Sequence, residues 1–245
     1  MKYLFLILFL IQNAFSQTIL IDPGHGGEDK GATAKIKGIQ IHEKDLALSI
    51  SKKIFKKLKK KGFQVYLTRS IDREVSLEKR AELAEKIKAD LFISIHLNSG
   101  HKKRSSGFEI YYLDNHSDAA IKKVEEVENK EWTGEQKVVN QILTELVIER
   151  TVKSSKRLSS LIHRSVMRKI TRRYGFKDRG VKPGLFYVLA LSKRPAALIE
   201  VGFISNKNEL KKMSSPSFQN RFSNAIVRGI KKYFAKKIKK ELNLF

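Results

Sequence analysis

The sequence predicts an α/β protein built on a mainly parallel sheet, and three observations carry that expectation. Apolar runs alternate with amphipathic helical stretches (strand, helix, strand, helix, strand) over residues 18–113, the rhythm of crossover connections. Ile19-Leu-Ile-Asp-Pro-Gly-His25-Gly-Gly27 runs from an apolar strand into a Pro/Gly turn that holds up a histidine. Leu91-Phe-Ile-Ser-Ile-His96 and Ala197-Leu-Ile-Glu200 end in His and Glu in the same manner. Open α/β sheets gather ligands beyond the carboxyl ends of their strands, so the three ends point to one edge.

Taken in order, the first strand is expected at 18–22, and Pro23 to Gly27 form a tight loop whose glycines let backbone approach a ligand. Residues 28–42 read as a polar, glycine-containing loop. Leu46, Ile50, Ile54 and Leu58 repeat every four residues, with Ala47 and Phe55 beside them, which predicts a helix over 44–60 closed by Gly62. Glu43 stands at its first turn and can point back over the sheet edge. Residues 63–67 alternate as a strand. A second helix is expected over 77–88, capped by Ser76, with Leu77, Ala81, Ala84 and Ile87 on one side. The strand ending at His96 follows, then a polar loop over 98–106 and a strand over 108–113.

Residues 114–152 break the rhythm. They are rich in Glu and Lys, contain Glu125-Glu126-Val-Glu128-Asn129, and resume a helical pattern through Val138, Ile142, Leu146 and Ile148. Insertions of this length are commonly functional lids or disordered segments. A long basic helix over 154–173 turns Leu158, Leu161, Ile162, Val166 and Ile170 inward and ends at Gly175. Apolar strands at 185–191 and 196–201 and an amphipathic helix over 218–240 complete the pattern. With no internal repeat and no long linker, residues 17–245 are expected to form one domain carrying the 114–152 insertion.

The first 16 residues stand apart. A positive start at Lys2, an unbroken apolar run from Tyr3 to Ile11, and small residues at Ala14 and Ser16 describe a secretory signal cleaved before Gln17. The run is too short to span a bilayer, which takes roughly 20 apolar residues. An exported chain without cysteine has no disulfides, so its core or a metal must suffice. The formal charge is +25, and removing residues 1–16 takes away only Lys2, leaving +24. Such a balance favours polyanions. Export argues against nucleic acid and for anionic envelope polymers or a membrane surface.

Catalytic zinc typically takes three protein ligands, often two His and one Glu, and keeps a fourth position for water. His25, Glu43 and His96 form such a set. Bound zinc lowers the pKa of water towards ~7, and Glu200 on a neighbouring strand end is suited to take that proton and return it to a leaving amine. The arrangement describes metal-assisted hydrolysis of an amide. Plainer readings stand beside it: His25 as a loop hydrogen-bonder, Glu43 as a partner of its helix dipole, His96 as an ordinary strand-end histidine. Glu200 is harder to dismiss, because a carboxylate after an apolar run is costly unless paired or functional. His42, His101, His116 and His163 are expected to be surface or internally satisfied residues.

Asp22-Pro-Gly-His-Gly-Gly27, Glu43-Lys-Asp45, Ser94-Ile-His-Leu-Asn98 and Glu200-Val-Gly-Phe-Ile-Ser-Asn206 together resemble the signature of zinc-dependent N-acetylmuramoyl-L-alanine amidases, bacterial cell-wall hydrolases of the cell-separation type. The resemblance runs in order from about Ile19 to Phe234 and takes in Thr68-Arg69, Arg80 and Ala89-Asp90. It implies a three-layer α/β sandwich with a mixed, mostly parallel sheet of about six strands. It also implies one Zn²⁺ on His25, Glu43 and His96, Glu200 as the catalytic glutamate, and cleavage of the amide between N-acetylmuramic acid and L-alanine. Asn98 is expected to help shape the substrate site. The 114–152 insertion resembles a segment that, in some members, occludes zinc until a divisome-linked activator displaces it. Glu128 is the carboxylate expected to cap the metal.

Two departures accompany the match. His96-Leu-Asn98 has Leu where alanine is usual in the family, and no wall-targeting domain is evident, so targeting is expected to come from a partner or from charge, or to be absent. The alternatives are a zinc peptidase or carboxypeptidase on wall peptides and a catalytically silent wall-binding protein. Nucleic-acid binding is disfavoured by the signal and by the lack of a recognised motif. A monomer in the periplasm is expected, with extracellular release as the alternative.

Overall fold

The computed structural model describes residues 17–100, 104–129 and 134–242. The secretory signal expected at 1–16, His101 and residues 130–133 of the insertion lie outside the described residues. Eight strands alternate with helices in the described chain. Strand β1 (Thr18–Pro23) leads to β2 (Thr33–Ile36) and β3 (Ile39–His42), then helix α1 (Glu43–Lys59), β4 (Gln64–Leu67) and α2 (Leu77–Lys86). Next come β5 (Leu91–Asn98), β6 (Phe108–Leu113), α3 (Ala119–Glu128) and α4 (Gly134–Val166). The chain finishes with β7 (Asp178–Gly184), α5 (Tyr187–Ser192), β8 (Ala196–Phe203), α6 (Lys207–Met213) and α7 (Pro216–Leu242).

Six strands form one sheet in the order β4-β1-β5-β8-β6-β7. All neighbours run parallel except β6 and β8, which are antiparallel, so the sheet is mixed and mostly parallel as expected. The central strands β1, β5 and β8 are buried on both faces, which is why they read as nearly continuous apolar runs. Register puts His96 beside Glu200 and Glu200 beside Glu109, so the three side chains share a face. On that face Leu20, Phe92, Tyr111 and Leu198 pack with Ala84 of α2, Ile121 of α3 and Leu189 of α5. On the other, Ile21, Ile93, Ile95 and Ile199 pack with α1, the carboxyl half of α4 and α7.

Four sequence expectations are corrected. Residues 28–42 are not all loop: β2 and β3 form an antiparallel hairpin. Its two-residue turn is Lys37-Gly38, both at positive φ (49° and 82°), the conformation that matches strand twist. Residues 185–191 are not a strand. A short buried apolar run cannot be told from a helix by periodicity, and Tyr187–Ser192 coils into α5, closed by Lys193 at φ 52°. The sixth strand is instead β7, a stretch holding Gly180 and Pro183. Proline's missing donor is tolerated there because β7 is an edge strand. Finally, no helix boundary falls near 152. Residues 135–174 contain neither Gly nor Pro, and α4 runs unbroken through the end of the insertion to a π-turn at Met167–Thr171 and Gly175 (φ 66°).

Candidate functional site

The site forms where β1, β5 and the start of α1 meet. Pro23 ends β1, and His25 follows in a left-handed conformation (φ 56°), uncommon outside glycine and held here by its surroundings. Two buried arginines do so. Arg69 donates to the carbonyls of Pro23 (3.1 Å), Gly24 (2.7 Å) and Lys44 (2.8 Å). Arg80 donates to those of Pro23 (2.9 Å) and His25 (3.1 Å) and also binds Asp22. Burial alone would push Asp22 up, but Arg80 with the Thr68 and Ser94 hydroxyls holds it below the usual carboxylate range. Neighbouring backbone must also stay small: a Cβ on Gly24 would collide with the His96 ring, and one on Gly31 would meet His25 and Glu43.

This scaffold aims the donors at one point. His25 Nε2 and His96 Nδ1 lie 3.2 Å and 3.3 Å from Glu43 Oε1. Asp29 Oδ2 sits 2.9 Å from His25 Nδ1, which places the proton there and leaves the Nε2 lone pair free. Glu43 is locked by the backbone N–H groups of Leu97 (2.7 Å) and Ala32 (2.9 Å). From α3, Glu128 Oε2 comes within 2.8 Å of His96 Nδ1 and 3.6 Å of His25 Nε2. One donor atom from each of His25, Glu43, His96 and Glu128 lies within 4.8 Å of the others. Neither His25 Nε2 nor His96 Nδ1 has a partner in hydrogen-bond geometry among the described residues, although both are buried. Two imidazoles and a carboxylate that converge without satisfying one another fit a tetrahedral zinc site.

Charge follows the geometry. Burial opposes protonation of His25, yet Glu43 and Asp29 lift it to about 10. His96 is likewise raised against burial by Glu128 and Glu43. Burial pushes Glu43 up, but the two imidazoles hold it well below the usual range. The pocket therefore favours positive charge at its centre, which protons or a cation can supply.

Glu200 stands on β8 beside His96, fully buried, and neither carboxylate oxygen has a hydrogen-bond partner among the described residues. Burial, then Glu128, raises its pKa well above the ordinary value, with His96 pulling the other way. Asn98, expected to help shape the substrate site, donates to the buried Glu109 (2.7 Å), the register neighbour of Glu200, which also takes Arg179 and Lys182. Of the remaining histidines, His116 pairs with Glu125 (2.6 Å) and His163 with Asp178 (2.7 Å), as expected, whereas His42 Nδ1 is buried without a hydrogen-bond partner among the described residues. Asp29 was not singled out from sequence; an acid four residues after a ligand-type histidine was the available signal. Arg69 and Arg80 entered only through resemblance, and nothing local announces their carbonyl contacts.

Helix α3 roofs the site. A cavity of about 220 Å³ remains between the His25 loop, Arg80, Glu128, Asn129 and Phe186. That is below the 300–1,000 Å³ typical of ligand pockets. Glu125 accepts from the Leu185 N–H (2.5 Å), and Asn129 bridges the Leu185 carbonyl and the Tyr187 N–H (both 2.8 Å), tying the roof to α5.

Comparison with known proteins places this geometry. Residues 19–232 match the family model described as N-acetylmuramoyl-L-alanine amidase. The N-acetylmuramoyl-L-alanine amidase AmiA of Escherichia coli is 32% identical over 227 residues, covering 89% of this chain and 76% of that protein. Among solved structures, the N-acetylmuramoyl-L-alanine amidase of Clostridium difficile 630 superposes with a TM-score of 0.70 at 31% identity, covering 91% of this chain and 98% of that one. The CwlD amidase of Clostridioides difficile, solved in complex with the GerS lipoprotein, gives a TM-score of 0.68 at 28% identity, covering 89% and 98%.

Proposed function

The chain belongs to the N-acetylmuramoyl-L-alanine amidase family and is a peptidoglycan amidase, and on that premise we propose that it acts with one zinc ion held by His25, Glu43 and His96. The observation that carries this reading is the convergence of two buried, unsatisfied ring nitrogens on the Glu43 carboxylate. When bound, zinc supplies Lewis-acid polarisation of the amide carbonyl and brings the pKa of water towards ~7. Asp29 holds the His25 tautomer, and the Ala32 and Leu97 N–H groups fix Glu43. Glu200, buried and without a hydrogen-bond partner among the described residues, is the base that takes the proton of the attacking water. Once it holds that proton, the same carboxyl returns it to the departing L-alanine nitrogen.

Glu128 has the opposite role: it caps the site at rest. A glycan strand with its stem peptide does not fit under α3, so the roof must lift. The face of α4 that follows it exposes Val139, Ile142, Leu143 and Leu146, an apolar stripe suited to a protein that draws α3 aside. The complex of the related CwlD amidase with GerS supports a protein partner. In this reading residues 1–16 export the chain to the periplasm or beyond, where it acts as a monomer in wall remodelling at division.

The test is digestion of purified peptidoglycan with zinc, with chelator, and with Glu200→Ala, followed by product mass. Free stem peptides beginning at L-alanine, lost with chelator and in the variant, are expected. Cleavage inside the stem would replace the amidase by a peptidase.

A further inference from the structure

Charge is distributed unevenly over this fold. Residues 46–71, 150–177 and 210–240 contain none of the chain's 25 acidic residues. They build most of α1, the carboxyl half of α4 and most of α7, the helices on the sheet face opposite the site. Many acids lie on the other side, in the His25 loop, α2 and α3. Helix α7 lies between α1 and α4 and carries Arg221, Arg228, Lys231 and Lys232 exposed along its outer stripe. Two shallow cavities border that stripe, one of about 190 Å³ completed by Lys169 and one of about 590 Å³ completed by Lys61. Every charged residue lining either cavity is a cation.

We propose that this basic three-helix layer docks on an anionic phospholipid bilayer, seating the chain with its catalytic cleft turned away from the lipid. Exposed cations stand on the neighbouring helices too, Lys52 and Lys56 on α1 and Lys156 and Arg164 on α4. Charge spread over side-by-side helices suits a two-dimensional array of phosphates better than a single polymer chain. The cleft lies beyond the opposite face of the sheet, so a flat partner at the back leaves it free. No helix among the described residues is long and apolar enough to cross a membrane, so this attachment is peripheral. Each Lys or Arg close to an anionic surface strengthens binding about fivefold, and salt weakens it. The docking stands without the amidase reading; only the meaning of the cleft's orientation rests on it.

The full chain is sedimented with vesicles of phosphatidylcholine alone and with roughly one-third phosphatidylglycerol, at about 0.15 M salt. Binding to the anionic vesicles alone is expected. Combined Arg221→Glu, Arg228→Glu, Lys231→Glu and Lys232→Glu should weaken it by at least about a hundredfold. The same number of reversals elsewhere (Lys35→Glu, Lys37→Glu, Lys79→Glu, Lys86→Glu) should cost no more than about fivefold, through net charge. Absence of vesicle binding, or equal losses in the two variants, overturns the proposal. So does tighter binding to soluble polyphosphate than to vesicles, which would give the surface to a linear polymer. Peptidoglycan digestion without lipid should be the same in the first variant as in the parent. Vesicle binding in a protein that digests nothing, with Glu128→Ala equally inactive, would strike the amidase reading and leave the docking intact.

Discussion

Glu43 and Glu128 reach the same pair of imidazoles from opposite ends of their helices. Glu43 opens α1, where the positive end of the helix dipole favours a carboxylate, and Lys56, Lys57 and Lys59 suit the negative end. Leu46, Ile50, Ile54 and Leu58 root that helix in the core, and two backbone N–H groups hold the carboxylate. Glu128 closes α3, whose last turn holds Glu125, Glu126 and Glu128 and no basic residue. Each of those charges opposes the dipole by about 0.3–1 kcal/mol. Within α3 only Ile121 and Glu125 are buried. The imidazoles therefore attract Glu128 against the preference of its own helix, whereas Glu43 sits where its helix would put it. One carboxylate is anchored by backbone donors and by its helix, and the other is held at the imidazoles with neither support, which is the contrast behind the proposed ligand and cap.

Removing each carboxylate tests that contrast. Glu43→Ala should weaken zinc binding by more than the ~10–100-fold typical of losing an outer-shell partner, read by competition with a chelating dye, and abolish stem-peptide release. Zinc retained at the parent's affinity would contradict a ligand role. Glu128→Ala should keep zinc at one per chain and raise basal peptide release about tenfold, the effect of shifting a closed equilibrium by about 1.4 kcal/mol. If this variant loses zinc as Glu43→Ala does, the two carboxylates are equivalent and the contrast fails. The finest test leaves the site untouched. Glu126 is exposed in the last turn of α3, and Glu126→Lys exchanges an unfavourable dipole interaction for a favourable one, worth about 0.5 kcal/mol. Basal release should fall about twofold. A rise would mean that opening is not governed by the stability of α3.

Much of the fold was legible because its signals are local. Period-four repeats in α1 and α2, the Ser76 cap that accepts from the Lys79 N–H, and the apolar runs of β1, β5 and β8 each declare themselves within a dozen residues. The β2–β3 hairpin announced itself faintly in Lys37-Gly38. Strand β7 and helix α5 could not be read locally. A Gly/Pro-bearing stretch becomes a strand because the sheet edge beside β6 is open to it, and the apolar run after it coils where it can pack on α2. The clamp on the His25 loop was illegible for a similar reason. Arg69 and Arg80 act on carbonyls 45 to 57 residues away in sequence, and a carbonyl carries no side-chain identity to read.

By itself the sequence determined the α/β class, the strand ends that carry His25, His96 and Glu200, and the first-turn position of Glu43. Each of these depends on periodicity or on a turn next to the residue concerned. Tertiary structure alone decided that the four side chains share one edge and that His25 is held at positive φ by two arginines. Packing also carried Glu128, which only the resemblance had named, and not Glu125 or Glu126, to the two imidazoles. Those outcomes depend on register, on crossover geometry and on which face of α3 meets the sheet, quantities fixed by packing between segments far apart in the chain.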